Sequence, residues 1–131
     1  MRLLLDTHIA IWWITDDPRL SSPGRAMMTD SQNFCVVSAV SIWEIAIKSA
    51  LRRGHHDDMQ MTGNEAMRDF EAAGFDLIAI NPDAAAGIDY LPPIHSDPFD
   101  RLLVAQARQE GMTLLTHDKL LTGYGAFVVV A

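Results

Sequence analysis

The run Asp97-Pro98-Phe99-Asp100-Arg101-Leu102-Leu103-Val104-Ala105-Gln106-Ala107, followed after Gly111 by Met112-Thr113-Leu114-Leu115, decides the fold class. Asp97-Pro98 is a helix start, because a short acid caps the first free amides and proline is tolerated where its missing N–H costs nothing. Phe99, Leu102, Leu103 and Gln106-Ala107 then recur at helical spacing until Gly111 stops the helix. An apolar strand follows directly. A helix feeding straight into a strand is the repeating unit of an α/β fold.

Working outward, the same kind of strand recurs at Leu3-Leu4-Leu5, Phe34-Cys35-Val36-Val37, Leu77-Ile78-Ala79-Ile80, Thr113-Leu114-Leu115-Thr116 and Phe127-Val128-Val129-Val130. These runs are continuous rather than alternating, which fits strands covered on both faces of a mainly parallel sheet. Between them, Ser22-Pro23 reads as an N-cap with proline at the first helical position, and Thr62-Gly63-Asn64-Glu65 and Ser41-Ile42-Trp43-Glu44 read as capping boxes. The alternation predicts an α/β layered fold with right-handed crossovers. Leu51 to Gly63, with Arg52-Arg53-Gly54-His55-His56-Asp57-Asp58, reads as a polar, mobile connection, and His55 and His56 as solvated.

At 131 residues the chain has the usual size of one domain, residues 1–131. Its one cysteine, Cys35, cannot form an internal disulfide, so a reducing, cytoplasmic setting fits. The opening apolar stretch is too short for a signal peptide, and no run approaches the roughly 20 residues that cross a bilayer. A soluble, unprocessed protein is expected. Seventeen acids against ten Lys and Arg give a net charge of −7, which argues against binding nucleic acid through a general basic surface.

Asp6 follows the first apolar strand and Asp118 follows another, and parallel α/β sheets carry their ligand sites at the carboxyl ends of strands. Either acid alone fits a helix cap or turn. Glu44 lies among core residues, where it can complete a capping box with Ser41 or pair with Lys48 one turn on. Asp97 and Asp100 fit an N-cap and an acid beside the helix macrodipole. Together, however, the topology can bring Asp6, Glu44, Asp100 and Asp118 to one end of the sheet. Carboxylates about 5 Å apart repel by roughly 3 kcal/mol per pair at an effective dielectric of about 20, so such a cluster does not serve stability. A divalent cation reverses the sign, and an all-oxygen set suits Mg²⁺ or Mn²⁺ rather than zinc. His8, His95 and His117 each lie within three residues of an acid and read as polar neighbours at the rim. Trp12, Trp13 and Trp43 read as core, with one exposed ring available for a base or a partner.

With these residues in view, the chain resembles the PIN-domain family, and within it the VapC-like toxins of bacterial toxin–antitoxin pairs. Leu4-Leu5-Asp6-Thr7-His8, Ser41-Ile42-Trp43-Glu44-Ile45-Ala46-Ile47-Lys48, His95-Ser96-Asp97-Pro98-Phe99-Asp100-Arg101 and Leu114-Leu115-Thr116-His117-Asp118 occur in the family's order. The resemblance implies a three-layer α/β/α sandwich and Mg²⁺- or Mn²⁺-dependent cleavage of RNA, with Asp6, Glu44, Asp100 and Asp118 as the catalytic and metal-binding quartet. Asp97, Thr116 and Thr7 are secondary positions. It also implies a cognate antitoxin and self-association into dimers. On this basis Asp6 and Asp100 bind the principal metal, Glu44 and Asp118 complete its outer shell or hold a second ion, and Lys48, Arg52, Arg53, Arg101 and Lys119 touch flanking phosphates. A receiver-like phosphorylatable domain is weaker, because Asp57 and Asp58 follow no apolar strand. A catalytically silent module is disfavoured by the intact acid set, and a haloacid dehalogenase-type phosphatase by the missing second Asp after Asp6.

Overall fold

A computed structural model describes residues 1–51 and 59–131. Strands β1 (Arg2–Leu5), β2 (Phe34–Ser38), β3 (Asp76–Ile78), β4 (Thr113–Thr116) and β5 (Val128–Val130) form one sheet in the order β3-β2-β1-β4-β5. All four pairings are parallel. Helices α1 (Thr7–Ile14), α2 (Ser22–Thr29), α3 (Ala39–Leu51), α4 (Gly63–Ala72), α5 (Pro82–Ala86) and α6 (Pro98–Glu110) cover it, with 3₁₀ turns at Gly87–Tyr90 and Lys119–Tyr124. This is the α/β/α sandwich expected of the sequence.

Strand residues alternate between faces, so neighbouring leucines enter different cores. Leu3, Leu5, Val37 and Leu115 pack with Ile9, Trp12, Phe70 and Phe75 from the side of α1, α2 and α4. Leu4, Val36, Leu114 and Val128 pack with Leu103, Val104 and Ala107 of α6. Covering on both faces is why these strands read as unbroken apolar runs. Among the described residues no helix is long and apolar enough to cross a membrane.

The strand order creates the site. From β1 the chain builds outward to β2 and β3, then crosses back so that β4 pairs with the other side of β1. Loops leaving β1 and β4 at their carboxyl ends therefore diverge to opposite faces and open a crevice between them.

Several boundaries differ from the sequence reading. The third strand ends at Ile78, not Ile80, because its partner β2 ends at Ser38, opposite Ile78, and turns at once into α3. The N-cap of α2 is Ser21, whose Oγ accepts from the Gly24 amide at 3.1 Å; Ser22 is already helical. Ser41 and Glu44 form no capping box: α3 starts at Ala39 and the Ser38 hydroxyl accepts from the Val40 amide, leaving Ser41 and Glu44 buried inside the helix. Thr62 and Glu65 do form theirs. Gly111 ends α6 at φ 69°, a left-handed conformation that glycine adopts without penalty. Most of the connection expected between Leu51 and Gly63, including Arg52, Arg53, His55, His56, Asp57 and Asp58, lies outside the described residues; Met59 at its far end is buried.

Candidate active site

Asp6 leaves β1 with its amide bonded to the Leu115 carbonyl of β4 at 2.9 Å, which fixes it at the crevice. It occupies the N-cap position of α1, yet its side chain caps nothing. Instead Oδ2 accepts a 2.6 Å hydrogen bond from the Thr116 hydroxyl, and Oδ1 is buried with no hydrogen-bond partner. The Thr116 oxygen in turn accepts from the Asp118 amide at 3.0 Å, so one hydroxyl ties the last residue of β4 to both acids. An uncompensated carboxylate oxygen in a site only 2% exposed costs several kcal/mol unless a cation meets it.

Glu44 enters from α3 and is equally buried. Its Oε1 lies 2.7 Å from the Thr7 hydroxyl and its Oε2 accepts from the Lys48 ammonium at 2.6 Å. Thr7 Oγ1 also lies 2.8 Å from Ser41 Oγ; its single proton goes to the carboxylate, which cannot donate. Burial acts to push the Lys48 ammonium down, but the hydrogen bond and charge of Glu44, with Asp97 and Asp100 behind, outweigh it and hold its pKa above the ordinary lysine value.

Asp97 and Asp100 come from the start of α6. Asp97 Oδ1 caps the Phe99 amide at 2.8 Å, as the sequence predicts, while Oδ2 lies 3.8 Å from Lys48 Nζ. Asp100 in the first turn points into the crevice. Its carboxyl is pushed up to about 8, first by burial and then by the charges of Asp6, Asp97, Glu44 and Asp118. Asp118 uses Oδ1 to cap the Leu120 amide at 2.9 Å and presents Oδ2 to His95 Nε2 at 2.8 Å. Both the capping role and a place in the crevice therefore hold for Asp118.

His95 is the residue the sequence reading undervalued. Its Nδ1 accepts from the Asp97 amide at 3.0 Å, so the neutral ring carries its proton on Nε2 and donates it to Asp118. It is a fixed part of the site rather than a rim neighbour, and the spacing His95-Ser96-Asp97-Pro98, an imidazole two residues before a capping acid, is the signal that marks it. His8 and His117 line the same crevice, with His117 Nδ1 3.9 Å from Asp6 Oδ2. The Trp12 ring packs at a tilt against His117, with centroids 4.7 Å apart, and is buried, as expected. Trp43 departs from the core reading: it is 56% exposed and rests edge-on against Phe99, because α3 turns Val40, Ser41, Glu44 and Ile45 inward and leaves Trp43 outside. Arg101 is anchored through Nη1, which bonds the carbonyls of Pro92 and His95 and the Tyr124 hydroxyl. Lys119 is exposed.

The result is a crevice of about 240 Å³ lined by Asp6, Glu44, Asp97, Asp100, Asp118, Lys48, His8, His95 and His117. A roomier groove of about 540 Å³ between α3 and α4 is lined, among the described residues, by no ionisable side chain. Facing atoms of His95, Asp100 and Asp118 lie within 4.8 Å of one another. Because both His95 nitrogens are engaged, the carboxylates are the donors available to an ion. The unpartnered Asp6 Oδ1 and the all-oxygen donors fit a hard dication such as Mg²⁺ or Mn²⁺.

A parallel α/β/α sandwich with acids gathered at the strand switch point defines the class, and the PIN domain family model matches residues 3–125; the chain belongs to the PIN-domain family. Family membership removes the receiver and dehalogenase readings. Among curated relatives, Ribonuclease VapC22 of Mycobacterium tuberculosis is 28% identical over 123 residues, covering 93% of this chain and 91% of its own. Among solved structures, VapBC2 from Rickettsia felis bound to a promoter DNA fragment superposes with a TM-score of 0.68 at 13% identity, covering 100% of this chain and 98% of that one. A toxin–antitoxin complex from Klebsiella pneumoniae gives 0.66 at 17% identity, covering 98% and 96%. At such identities the structural likeness speaks for the fold.

Proposed function

We propose that this chain is a single-domain, Mg²⁺- or Mn²⁺-dependent endoribonuclease of the cytoplasm, the toxin of a toxin–antitoxin pair. The observation that carries the reading is the gathering of five carboxylates in one crevice, one of them with a buried oxygen that no group among the described residues satisfies. Its similarity to a ribonuclease of the VapC type supports the reaction class, and its likeness to VapBC structures supports a cognate antitoxin.

Asp6 and Asp100 hold the ion, with Asp118 beside them and Glu44 in its outer surroundings. When bound, the ion supplies acidified water near neutral pH and offsets phosphate charge during in-line attack. The protein's part is positional. Thr116 locks Asp6 and the backbone of Asp118, while His95 holds the Asp118 carboxylate at one oxygen and the Leu120 amide holds the other. Asp118 is thereby fixed to orient water rather than free to swing. Acidic as the chain is, Lys48 inside the crevice gives RNA phosphates a local cation, and the exposed Lys119, next to Asp118 in the chain, offers a second. A line of Trp43, Ile47 and Leu51 on α3, with Trp43 and Leu51 exposed, supports a protein-covered face and hence a homodimer.

The test is cleavage of single-stranded RNA by the purified chain. Activity that chelator abolishes and Mn²⁺ restores is expected, and Asp6→Asn should reduce it at least 1000-fold in a folded protein. Equal cleavage by the variant, or cleavage indifferent to chelator, refutes the reading.

A further inference from the structure

The carboxylates of the crevice fall into two halves that differ in how their charge is met. Each oxygen of Glu44 has a partner, Thr7 on Oε1 and Lys48 on Oε2. Asp97 caps the α6 start through Oδ1 and turns Oδ2 toward the same ammonium at 3.8 Å. In the other half no cation among the described residues touches a carboxylate except through an imidazole: Asp6 Oδ1 is unpartnered, Asp100 lies 3.5 Å from the His95 ring, and Asp118 lies 2.8 Å from it while its other oxygen caps the Leu120 amide.

Lys48 is also held in place. It is one helical turn beyond Glu44 on α3, its Nζ lies 5.4 Å from the centroid of the Phe99 ring, and its side chain is only 25% exposed. A stem packed this way confines the ammonium instead of letting it sweep through solvent. Two-ion nucleases clamp the attacking and leaving oxygens between a pair of dications about 4 Å apart. A second dication between Glu44 and Asp97 would have to displace Lys48 or sit against a positive charge.

Resting on the nuclease reading above, we infer that the Lys48 ammonium stands where a second metal would, so that the crevice works with one dication, on the Asp6, Asp100 and Asp118 side, and one built-in cation facing the RNA phosphate. Lys48 is then a positioning residue for the substrate as well as a partner of Glu44. A merely structural Glu44–Lys48 pair makes no demand on metal count, and the two roles separate there.

Mn²⁺ titration of the full chain, followed by electron paramagnetic resonance, reads that count. Wild type should take up one Mn²⁺ per chain with the spectrum of an isolated ion, Lys48→Met should take up two that are magnetically coupled, and Lys48→Arg should keep one. RNA cleavage by Lys48→Met should fall roughly 100-fold at low Mn²⁺, the scale of losing one charge-stabilising group, and recover in part as Mn²⁺ is raised. A coupled pair in wild type, or a single ion in a folded Lys48→Met, overturns the inference while leaving the nuclease reading intact. Wild type that binds no Mn²⁺ overturns both. Should Lys48→Met fail to fold, Lys48→Gln, which also removes the charge but can still hydrogen-bond Glu44, takes its place: two coupled ions support the inference and one overturns it.

Discussion

Replacing Asp100 with Asn should make the metal-free protein more stable, which is unusual for a half-buried polar residue at the start of a helix. The Asp100 carboxyl titrates near 3.8 in the unfolded chain and is pushed up to about 8 in the fold. Between those values the folded state binds more protons than the unfolded one, so the free energy of unfolding falls as pH rises. Below pH 3.8 the group costs nothing; above about 8 its full cost is present. At about 1.4 kcal/mol per pH unit the ceiling is about 6 kcal/mol. The side chain keeps 17% exposure and its repulsion is shared among four other carboxylates, so about 2–3 kcal/mol is the working figure. Asn keeps the shape and removes the charge. In EDTA at pH 9, Asp100→Asn should therefore melt roughly 10 °C above wild type, and at pH 4 the two should nearly coincide. Saturating Mn²⁺ should raise wild type and leave the variant almost unmoved. The assay is thermal unfolding by circular dichroism across pH, with and without Mn²⁺. A variant less stable than wild type at pH 9 in chelator, or a difference that does not grow with pH, would refute the repulsion argument.

Other outcomes follow from the same geometry. Thr116→Val removes the hydroxyl between Asp6 and the Asp118 amide and should cost about 1–3 kcal/mol in urea unfolding, with RNA cleavage falling further than stability alone explains. His95→Ala frees the Asp118 carboxylate without removing an acid, so cleavage should drop roughly 10- to 100-fold, in the range of lost outer-shell support, while the melting temperature moves little. Leu103→Ala, in the core between α6 and the sheet, should lose about 2–5 kcal/mol in urea unfolding and leave Mn²⁺ binding by the folded fraction unchanged.

The parallel sheet was legible because strands buried on both faces leave continuous apolar runs, and the start of α6 was legible because Asp97-Pro98 and Gly111 act locally. Where a boundary depends on a distant partner, local reading failed. Ile80 looks as strand-like as Ile78, but pairing stops when β2 turns into α3 at Ala39. Ser41 and Glu44 have the spacing of a capping box, yet the exit of β2 starts the helix at Ala39, three residues before the Ile42 that such a box implies, and converts both into interior groups. The acids of the site were legible as candidates from their positions after strands and at a helix start. Their division into a Lys48-neutralised half and an open half was not, since it depends on which oxygens of Glu44 and Asp6 find partners across the crevice. His95 escaped for the same reason: its role exists only once the segment before α6 folds back toward Asp118.

The most direct test of the account is anomalous scattering from crystals of the wild-type chain soaked in Mn²⁺. A peak bounded by the carboxylates of Asp6, Asp100 and Asp118 is the expected result. A fully occupied ion elsewhere on the surface, with that crevice devoid of anomalous density at saturating Mn²⁺, would contradict it.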